Sequence, residues 1–484
     1  MEYQAQIVAV MIVYLAFLII WGIYQGSKVK TGSDYSIAAR KLPGWAAALS
    51  ERATGESSWA LLGLPGFAYA SGLTGLWTAV GCLAGIITAW CGIAWRLRDE
   101  AEHFQVNTFT DYIAKKHPEM NTWIRIMGSS VLVFIFFFYV GAQFLGGGKT
   151  LHTMFNLDPR LGMVITALII IPYTVYGGFR SVVYTDVVQA LVMIAALVIG
   201  PVVGLITIAH SPDIFAQSIP QALVKAGPAY SSLTGAVSGF AAGAIIVGGF
   251  SWFFGYLGGM PQLSMRFMAI RDITQAKKAR NIGIIWTVFA YAGALSLGWI
   301  GLALFGPGGL EDQEYIMPLV MLRIFPPVIA AILITGAIAA MISTADSLLI
   351  LSSTELSENL LRKNKSARTR SGRLIYSRII TAALAVIALG FAYFSSRNLI
   401  YDLVGYVWAG VGGTFSIVIL FSLFWKKYHG RAVLVTIITG IVFWIVWITT
   451  GMEEVITSRL MTFVVAGIAG ILGTWLLPVK AISK

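Results

Sequence analysis

Residues 339–353, AAMISTADSLLILSS, place hydroxyl and carboxyl side chains inside an otherwise apolar run. On a helix, Ser343, Asp346 and Ser347 have i, i+3 and i+4 spacing and share one face, with Thr344 beside them. Oxygen donors without nitrogen or sulfur ligands suit a hard cation such as Na⁺. Hydroxyl groups can instead bond to carbonyls of their own helix or join two helices. That alternative does not account for Asp346, which lies deep in an apolar segment. The pattern favours a cation site.

A second stretch, residues 44–66 (GWAAALSERATGESSWALLGLPG), is long enough to cross a bilayer but has a charged centre. A charged group at the bilayer centre costs roughly 2.5–3.5 kcal/mol on insertion scales, so it must face a cavity, a partner or a ligand. The neighbouring Gly and Pro residues weaken the helix and free backbone groups that need partners. We predict a broken helix in which Glu51 and Arg52 neutralise each other. Glu56, at the break, could attract an ammonium group, relay a proton or pair with Arg52.

A lone acid, Asp186 in VVYTDVVQALV, begins another apolar segment. It could be an interfacial cap or pair with Arg180, or it could belong to a buried site. The sequence leaves both interpretations open.

Polar and aromatic side chains near the broken stretches could line a small-molecule site. Tyr139 and Gln143 are in FYVGAQF, and Trp252 and Tyr256 are in FSWFFGYLGGMP. Aromatic walls with a few polar groups are typical of such sites, although most aromatic residues in membrane proteins serve packing or the interfacial belt.

The elements that position these residues are predicted to be membrane helices. The chain of 484 residues is 57% hydrophobic and only 12% charged, whereas soluble domains contain about 25% charged residues. At about 20 apolar residues per span, the sequence predicts an all-α polytopic membrane protein with about thirteen helices. They are expected near residues 6–26, 44–66, 73–97, 122–151, 160–178, 181–208, 234–258, 280–306, 326–353, 375–396, 399–425, 431–450 and 458–478.

The formal net charge of +12 comes largely from Lys and Arg residues in alternate loops. These basic loops lie around residues 28–41, 96–116, 266–280, 362–373 and 426–431. By the positive-inside rule the N-terminus is outside and the C-terminus, with Lys480 and Lys484, is inside. The basic excess is therefore a topology signal, and we expect no nucleic-acid partner.

Two short segments correspond to each other within the chain. Residues 57–66, SSWALLGLPG, and residues 250–261, FSWFFGYLGGMP, each contain Ser-Trp followed by Gly and Pro. Each opens a block of about five predicted helices, and the two blocks run in opposite directions through the membrane. Paired interrupted helices at matching places in inverted halves point to a transporter's binding site at the midplane. A chance match of such short motifs is the alternative.

Longer motifs extend this comparison to a known family. The segments ALSxxxTxxSSWALLGLPGxxYxSGL (residues 48–73), GGFRSVVYTDVVQAL, RFMA, AAMISTADSLL and YVWAGVGGTF together resemble the sodium/solute symporter family, and most closely its sodium/proline branch. The resemblance implies a LeuT-like five-plus-five inverted repeat within a single transport domain. Residues 6–26 would form an extra first helix, residues 44–208 and 234–425 the two repeats, and residues 431–478 two further helices.

The resemblance also implies binding residues. Its sodium site maps to backbone oxygens of Ala53, Glu56 and Ala340 and to the hydroxyls of Ser343 and Thr344. A second sodium site found in some members maps to Asp186, Ser343, Asp346 and Ser347. The proline-site positions map to Ser57, Ser58, Trp59, Tyr139, Trp252, Tyr256 and Pro261, with one extra residue between Tyr256 and Pro261 in this chain. Glu56 and Gln143, taken from the residues themselves, complete the predicted solute site.

The first broken stretch departs from the family pattern. Where the proline symporters resemble each other in Ser-Asp-Met-Ser-Gly-Trp, this chain reads Thr-Gly-Glu-Ser-Ser-Trp at residues 54–59. Gly55 replaces the aspartate, and the acid of Glu56 lies one position later. One position is about 100° around a helix, so Glu56 takes over that role only where the helix is unwound.

We therefore expect a secondary active transporter of the cytoplasmic membrane that couples Na⁺ to uptake of a small solute, proline or another amino acid. The alternatives are a proton-coupled carrier, a carrier of another carboxylate or cationic solute, and a membrane solute sensor. No nucleophile–base pair or metal motif indicates an enzyme. The lipid bilayer is the expected environment, and nothing points to an obligate protein partner.

Overall fold

The structure, a computed structural model, describes residues 2–360, 370–394 and 399–477. Within these ranges all regular structure is helical, and the only β-type pairing is an isolated bridge between Leu42 and Ile270. The predicted all-α class is confirmed. The predicted ends of two helices, at residues 396 and 478, lie outside the described residues, as do residues 361–369 of one basic loop and Lys480 and Lys484.

Described residues 2–210 contain nine α-helices. They are α1 (Glu2–Gly26), α2 (Gly32–Ile37), α3 (Gly44–Ser58), α4 (Leu64–Ser71), α5 (Gly75–Thr88), α6 (Ala94–His103), α7 (Phe109–Lys116), α8 (Asn121–Phe155) and α9 (Pro159–His210). A π-helical turn, Trp59–Gly63, joins α3 to α4, and a second, Ala89–Ile93, joins α5 to α6.

The second half begins with two short helices, α10 (Ile219–Ala226) and α11 (Pro228–Ser231). It continues with α12 (Gly239–Phe250), α13 (Trp252–Gly255), α14 (Pro261–Ala269), α15 (Ile273–Phe305), α16 (Ile316–Ile324), α17 (Pro327–Glu355), α18 (Arg370–Phe394), α19 (Ile400–Val407), α20 (Thr414–Phe424), α21 (Gly430–Thr449) and α22 (Ser458–Leu476). π-Helical turns follow α17 at Leu356–Leu360 and α19 at Trp408–Gly413.

Ten helical stretches in the described ranges are long and apolar enough to cross a membrane, so the count of thirteen is not confirmed. Two predicted helices, 44–66 and 73–97, fall in one helical stretch, Gly44–His103. The helices predicted from residues 160 and 234 correspond to shorter apolar helices, Pro159–Pro172 and Gly239–Gly255. Consecutive spans joined by tight helical turns leave little polar sequence between them, which blurs the boundaries.

Among the described residues, three interruptions fall within or between helices α3, α9, α13 and α14. Ser57 has φ of 47° and ψ of −163°, which breaks the ladder of α3. Gly178 has φ of 63° and ψ of −173° and kinks α9 at the predicted boundary between two helices. The segment between α13 and α14, residues 256–260, is not helical and contains Gly258 at φ of 86°. A positive φ is strained for a residue other than glycine and persists only where its surroundings hold it, which makes Ser57 a functional candidate.

Helix α17 lies at the centre of the molecule, packed against α9, α8 and α3. Every residue from Leu333 to Glu355 on this helix is buried. A helix buried on all sides lies inside a bundle. The polar side chains around Ser343 on α17 must therefore find their hydrogen-bond partners on neighbouring helices. Helix α1 packs on the outside of this assembly against α9 and α17.

Candidate functional site

The break in α3 faces the hydroxyl groups of α17. The Thr344 hydroxyl donates to the carbonyl oxygen of Thr54 over 3.0 Å. The Thr54 hydroxyl lies 3.4 Å from the Ser343 hydroxyl and 3.1 Å from that of Ser347. These atoms are buried and all are oxygens, which is the donor set that a hard cation requires. The predicted pairing of the two segments is present, and Thr54 is a member that the sequence did not single out.

The remaining predicted sodium ligands lie on the same two elements. Ala53 and Glu56 belong to the last turns of α3, before the strained Ser57, and Ala340 lies one turn before Thr344 on α17. All three residues are completely buried. Ser57 interrupts the helical backbone. The Glu56 carbonyl oxygen accepts from the backbone N–H of Trp59, and a carbonyl oxygen has a second lone pair that a ligand can use. The residues present therefore fit a Na⁺ ion.

At the predicted second sodium site, a guanidinium group contacts the oxygens. Arg266 Nη2 lies 3.0 Å from Asp186 Oδ2, 3.0 Å from Thr54 Oγ1 and 2.5 Å from Ser347 Oγ. Asp186 also accepts from the Ser50 hydroxyl over 2.6 Å. The partner of Asp186 is thus Arg266 on α14 rather than Arg180, which stacks on Tyr184.

Arg266 was counted from the sequence among the charges of a basic loop. Its side chain is 1% exposed and joins α14 to α3, α9 and α17. The only hint in the sequence is its place in the RFMA motif. Asp346 lies near this group, with the Ser347 hydroxyl 3.5 Å from its carboxylate.

The charged residues of the first broken stretch form a separate buried cluster. Arg52 donates to both oxygens of the Glu51 carboxylate, so the predicted pairing of these two side chains is confirmed. Arg52 Nη1 also lies 3.2 Å from Glu56 Oε1 and 3.3 Å from the Thr287 hydroxyl. Trp90 donates to Glu51 over 3.2 Å. The Glu56 side chain therefore contacts Arg52 on its own helix. This is one of the three alternatives predicted for Glu56.

The predicted solute-binding residues meet beside the two breaks. Tyr139 Oη lies 3.3 Å from Ser57 Oγ, and Gln143 Oε1 accepts from the backbone N–H of Ser58 over 3.1 Å. Trp59 stacks on Trp252 with ring centroids 4.6 Å apart. The side chains from α3, α8 and the second break thus form one buried group. Two further residues predicted for the solute site also belong to this group.

Those members are Tyr256 and Pro261, which flank the second break. Tyr256 lies between α13 and α14 and its hydroxyl is 3.0 Å from that of Tyr291, while Pro261 is the first residue of α14. Pro at the first position of a helix leaves no backbone donor unsatisfied there.

Trp408 completes this aromatic group and was missed as a site residue. Its ring centroid lies 5.2 Å from that of Tyr256, 5.8 Å from Trp252 and 6.2 Å from Tyr139. The Trp408 indole N–H and the Ser58 hydroxyl are buried without a hydrogen-bond partner in the described part of the chain. Buried polar groups are normally paired, so both are available to a bound molecule. Trp408 was quoted only within YVWAGVGGTF, and spacing alone could not place it here.

An ion pair and two hydrogen bonds join Gln313–Tyr315, the turn before α16, to α8 and to the start of α19. Glu314 accepts from the backbone N–H groups of Ile400 and Tyr401, each over 3.0 Å, and pairs with Lys149. Burial raises the pKa of Glu314, against the opposing influence of Lys149. Tyr401 in turn stacks on Phe67 with centroids 4.6 Å apart. The Tyr401 ring also lies 5.4 Å from that of Trp252, so the start of α19 contacts the aromatic group.

The chain is similar to known proteins along most of its length. The model of the sodium:solute symporter family matches residues 35–440. Sodium/proline symporter 2 of Staphylococcus saprophyticus is 31% identical over 473 residues, covering 94% of this chain and 90% of the relative. The osmoregulated proline transporter OpuE of Bacillus subtilis is 30% identical over 472 residues, covering 96% and 94%.

Solved structures share the fold. A substrate-bound, outward-open Na⁺-coupled sialic acid symporter superposes with a TM-score of 0.80 at 19% identity, over 99% of both chains. Mhp1, a nucleobase-cation-symport-1 family transporter, matches with a TM-score of 0.58 at 14% identity, over 92% of this chain and 94% of that one. These likenesses confirm the LeuT-like architecture expected from the sequence. The chain belongs to the sodium:solute symporter family, and it is a multi-pass, Na⁺-coupled transporter rather than an enzyme.

Proposed function

We propose that this protein couples the entry of Na⁺ to the uptake of proline. The observation that carries the proposal is the contact between the break in α3 and the hydroxyls of Ser343 and Thr344, directly beside an aromatic group. The similarity to proteins named as proline transporters supports proline over other amino acids.

In this proposal one Na⁺ ion binds between α3 and α17. Its ligands are the backbone oxygens of Ala53, Glu56 and Ala340 and the hydroxyls of Ser343 and Thr344. The Thr344 hydroxyl, which donates to Thr54, turns its oxygen toward the ion when the ion is bound. Because these ligands come from two helices, ion binding favours the arrangement in which both are close.

Asp186, Asp346 and Ser347 belong to a second cation site in this proposal. Since Arg266 contacts Asp186 and Ser347, it supplies the positive charge there in the present arrangement. A second Na⁺ ion would bind only after Arg266 moves away, because two cations cannot share these oxygens.

The solute binds between the two breaks. The candidate contacts are Glu56, Ser57, Ser58, Trp59, Tyr139, Gln143, Trp252, Tyr256 and Pro261. The stacked indoles offer apolar faces to a pyrrolidine ring, while backbone N–H groups at interrupted helix ends favour its carboxylate. The unpartnered Ser58 hydroxyl offers a further hydrogen bond. Glu56 Oε1 contacts Arg52, whereas Glu56 Oε2 has no hydrogen-bond partner in the described part of the chain and is the atom that would contact the solute.

Alternating access would then arise from movement of the broken helices relative to α8, α9 and α17. A charge moved through 100 mV contributes about 2.3 kcal/mol, before any concentration gradient is counted. Two inverted repeats, residues 44–208 and 234–425, would provide the two arrangements, with residues 6–26 and 431–478 outside them. We place the protein in the cytoplasmic membrane, with the N-terminus outside and the C-terminus inside, in contact with lipid and without an obligate protein partner.

The deciding experiment is uptake of labelled proline and other amino acids into proteoliposomes, with and without an inward Na⁺ gradient. We expect proline uptake to be stimulated by the gradient. Absence of Na⁺ stimulation for every substrate would refute the proposal. Na⁺-independent uptake whose pH dependence disappears in Glu56→Gln would favour the proton-coupled alternative.

A further inference from the structure

A cage of four oxygens surrounds one nitrogen atom at the C-terminal end of α17. The amide nitrogen of Asn359 lies 2.6 Å from Glu355 Oε2, 2.6 Å from Thr110 Oγ1, 3.0 Å from Thr108 Oγ1 and 3.1 Å from Ser129 Oγ. These oxygens come from the start of α7, from α8 and from the end of α17. They converge on one point as the ligands of a cation do.

An amide is a poor match for this cage. It has two hydrogens and no charge, so at most two of the four oxygens receive its hydrogen bonds. Glu355 is 1% exposed, and within the described residues no Lys, Arg or His forms an ion pair with it. Its recorded partners are neutral: the Thr110 backbone N–H and the groups of Thr110, Ser129 and Asn359. A buried carboxylate is costly without a positive partner.

The neighbouring guanidinium groups are already paired. Arg266 lines a small cavity together with Glu355 but bonds to Asp186. Arg125 bonds to Asp111 and to the carbonyl oxygen of the Asn359 side chain. The negative charge of Glu355 is therefore not cancelled by either group.

Two cavities adjoin the cage, and Thr108 lines both of them. The first, of about 10 Å³, is lined by Arg266, Ser347, Thr354 and Glu355 among others, and has room for about one water or ion. The second, of about 100 Å³, is lined by Asn107, Thr108, Asp111, Lys115, Arg125, Glu358 and Asn359. Ser347 of the polar face of α17 lines the first cavity, and Lys115 of the basic loop lines the second. The cage lies between the candidate sodium sites and that loop.

We propose that Glu355, with the hydroxyls of Thr108, Thr110 and Ser129, is a binding site for a hard monovalent cation, and that the Asn359 amide holds the site when the ion is absent. Oxygen-only coordination with one carboxylate suits Na⁺ or K⁺. Na⁺ would arrive from the coupling site on its way inward, and K⁺ from the solution at the basic loops. Only the identification of the occupant as the coupling ion rests on the proposed function.

The test is equilibrium binding of ²²Na⁺ and of ⁸⁶Rb⁺, a K⁺ substitute, to the purified full-length protein. We expect Glu355→Gln to lose about one bound ion per carrier, because the cage loses its charge. Glu358→Gln, which removes a carboxylate lining the adjacent cavity, is the matched control and should bind as the unaltered protein does. Loss of ²²Na⁺ identifies the coupling ion, and loss of ⁸⁶Rb⁺ identifies K⁺.

A second variant keeps the proposal testable if Glu355→Gln does not fold. Asn359→Ala removes the amide from the cage, so we expect the affinity for the same ion to rise at least about threefold. A purely structural role of Asn359 predicts unchanged or weaker binding, and either result overturns the proposal. So does an unaltered ion stoichiometry in folded Glu355→Gln. Lack of Na⁺-driven uptake would refute the proposed function without affecting this binding test.

Discussion

At the scale of single residues, function rests on oxygen atoms that two helices present to each other. The Ser343 and Thr344 hydroxyls face Thr54 across the interface of α17 and α3. Neither hydroxyl is needed to complete its own helix, and both are fully buried. A hydroxyl oxygen that donates its hydrogen still has lone pairs, so both hydroxyls can accept an ion.

Replacing both hydroxyls should therefore weaken Na⁺ binding. For Ser343→Ala with Thr344→Ala we expect the Na⁺ concentration at half-maximal uptake to rise about tenfold or more, equivalent to about 1.4 kcal/mol. The measurement is proline uptake against Na⁺ concentration in proteoliposomes. Thr335→Ala is the control, because that hydroxyl bonds to the Ala331 carbonyl of its own helix. An unchanged Na⁺ dependence would show that the ion binds elsewhere.

The hydroxyl of Tyr139 should matter for the solute. It lies 3.3 Å from Ser57 Oγ, so it holds the strained residue or donates directly to the solute. In Tyr139→Phe we expect KM for proline to rise about three- to tenfold, since one hydrogen bond is worth about 0.5–1.5 kcal/mol. Tyr428→Phe removes a buried hydroxyl bonded to Thr436 instead and should leave KM unaltered. Equal effects of the two substitutions would contradict a solute-site role.

At the scale of elements, the interruptions decide what the helices can do. A continuous α3 would satisfy its own backbone, whereas the break at Ser57 leaves groups for ligands. The second break depends on close approach: a Cβ on Gly259 would lie 2.3 Å from the Gly412 carbonyl oxygen. The start of α19, fastened by Glu314, then covers the aromatic group between the breaks.

The contribution of Glu314 to the stability of the folded protein should depend on pH. Its pKa is raised by burial, so the folded protein holds this proton more tightly than the unfolded chain, whose pKa is near 4.5. The stability that the proton contributes is complete below that value and is lost as pH rises through the folded-state pKa. Gln stays neutral at every pH. The melting temperature of Glu314→Gln in detergent should therefore rise relative to that of the unaltered protein as pH increases through the folded-state pKa of Glu314. A difference between the two proteins that is independent of pH would contradict this.

At the scale of the whole molecule, the basic loops that alternate along the sequence predict which side of the membrane each loop faces. We expect the loop with Lys115 to be inside and the loop with Glu311 to be outside. In a background of Cys82→Ser and Cys91→Ser, a membrane-impermeant maleimide applied to intact cells should label Glu311→Cys but not Lys115→Cys. Both positions should react after the cells are opened. The reverse pattern would invert the assigned topology.

The sequence by itself determined the class of the protein, because apolar runs and loop charges follow from the bilayer as solvent. It also predicted both interruptions, since Gly, Pro and charged residues within a membrane helix have few structural explanations. Family membership followed from motifs spread along nearly the whole chain, and similarity over residues 35–440 confirmed it.

Only the tertiary structure decided which partners those residues have. From the sequence, Arg266 is predicted to be a charged residue of a basic loop, but in the structure it is buried and pairs with Asp186. Trp408, which is distant in sequence, packs against the other members of the aromatic group. The Glu56 carboxylate could have faced the solute or Arg52, and packing brought it to Arg52. Spacing along a helix fixes which side chains share a face, but the element opposite that face is chosen by long-range packing. The oxygen cage at Glu355, built from three separate elements, is visible only once they are assembled.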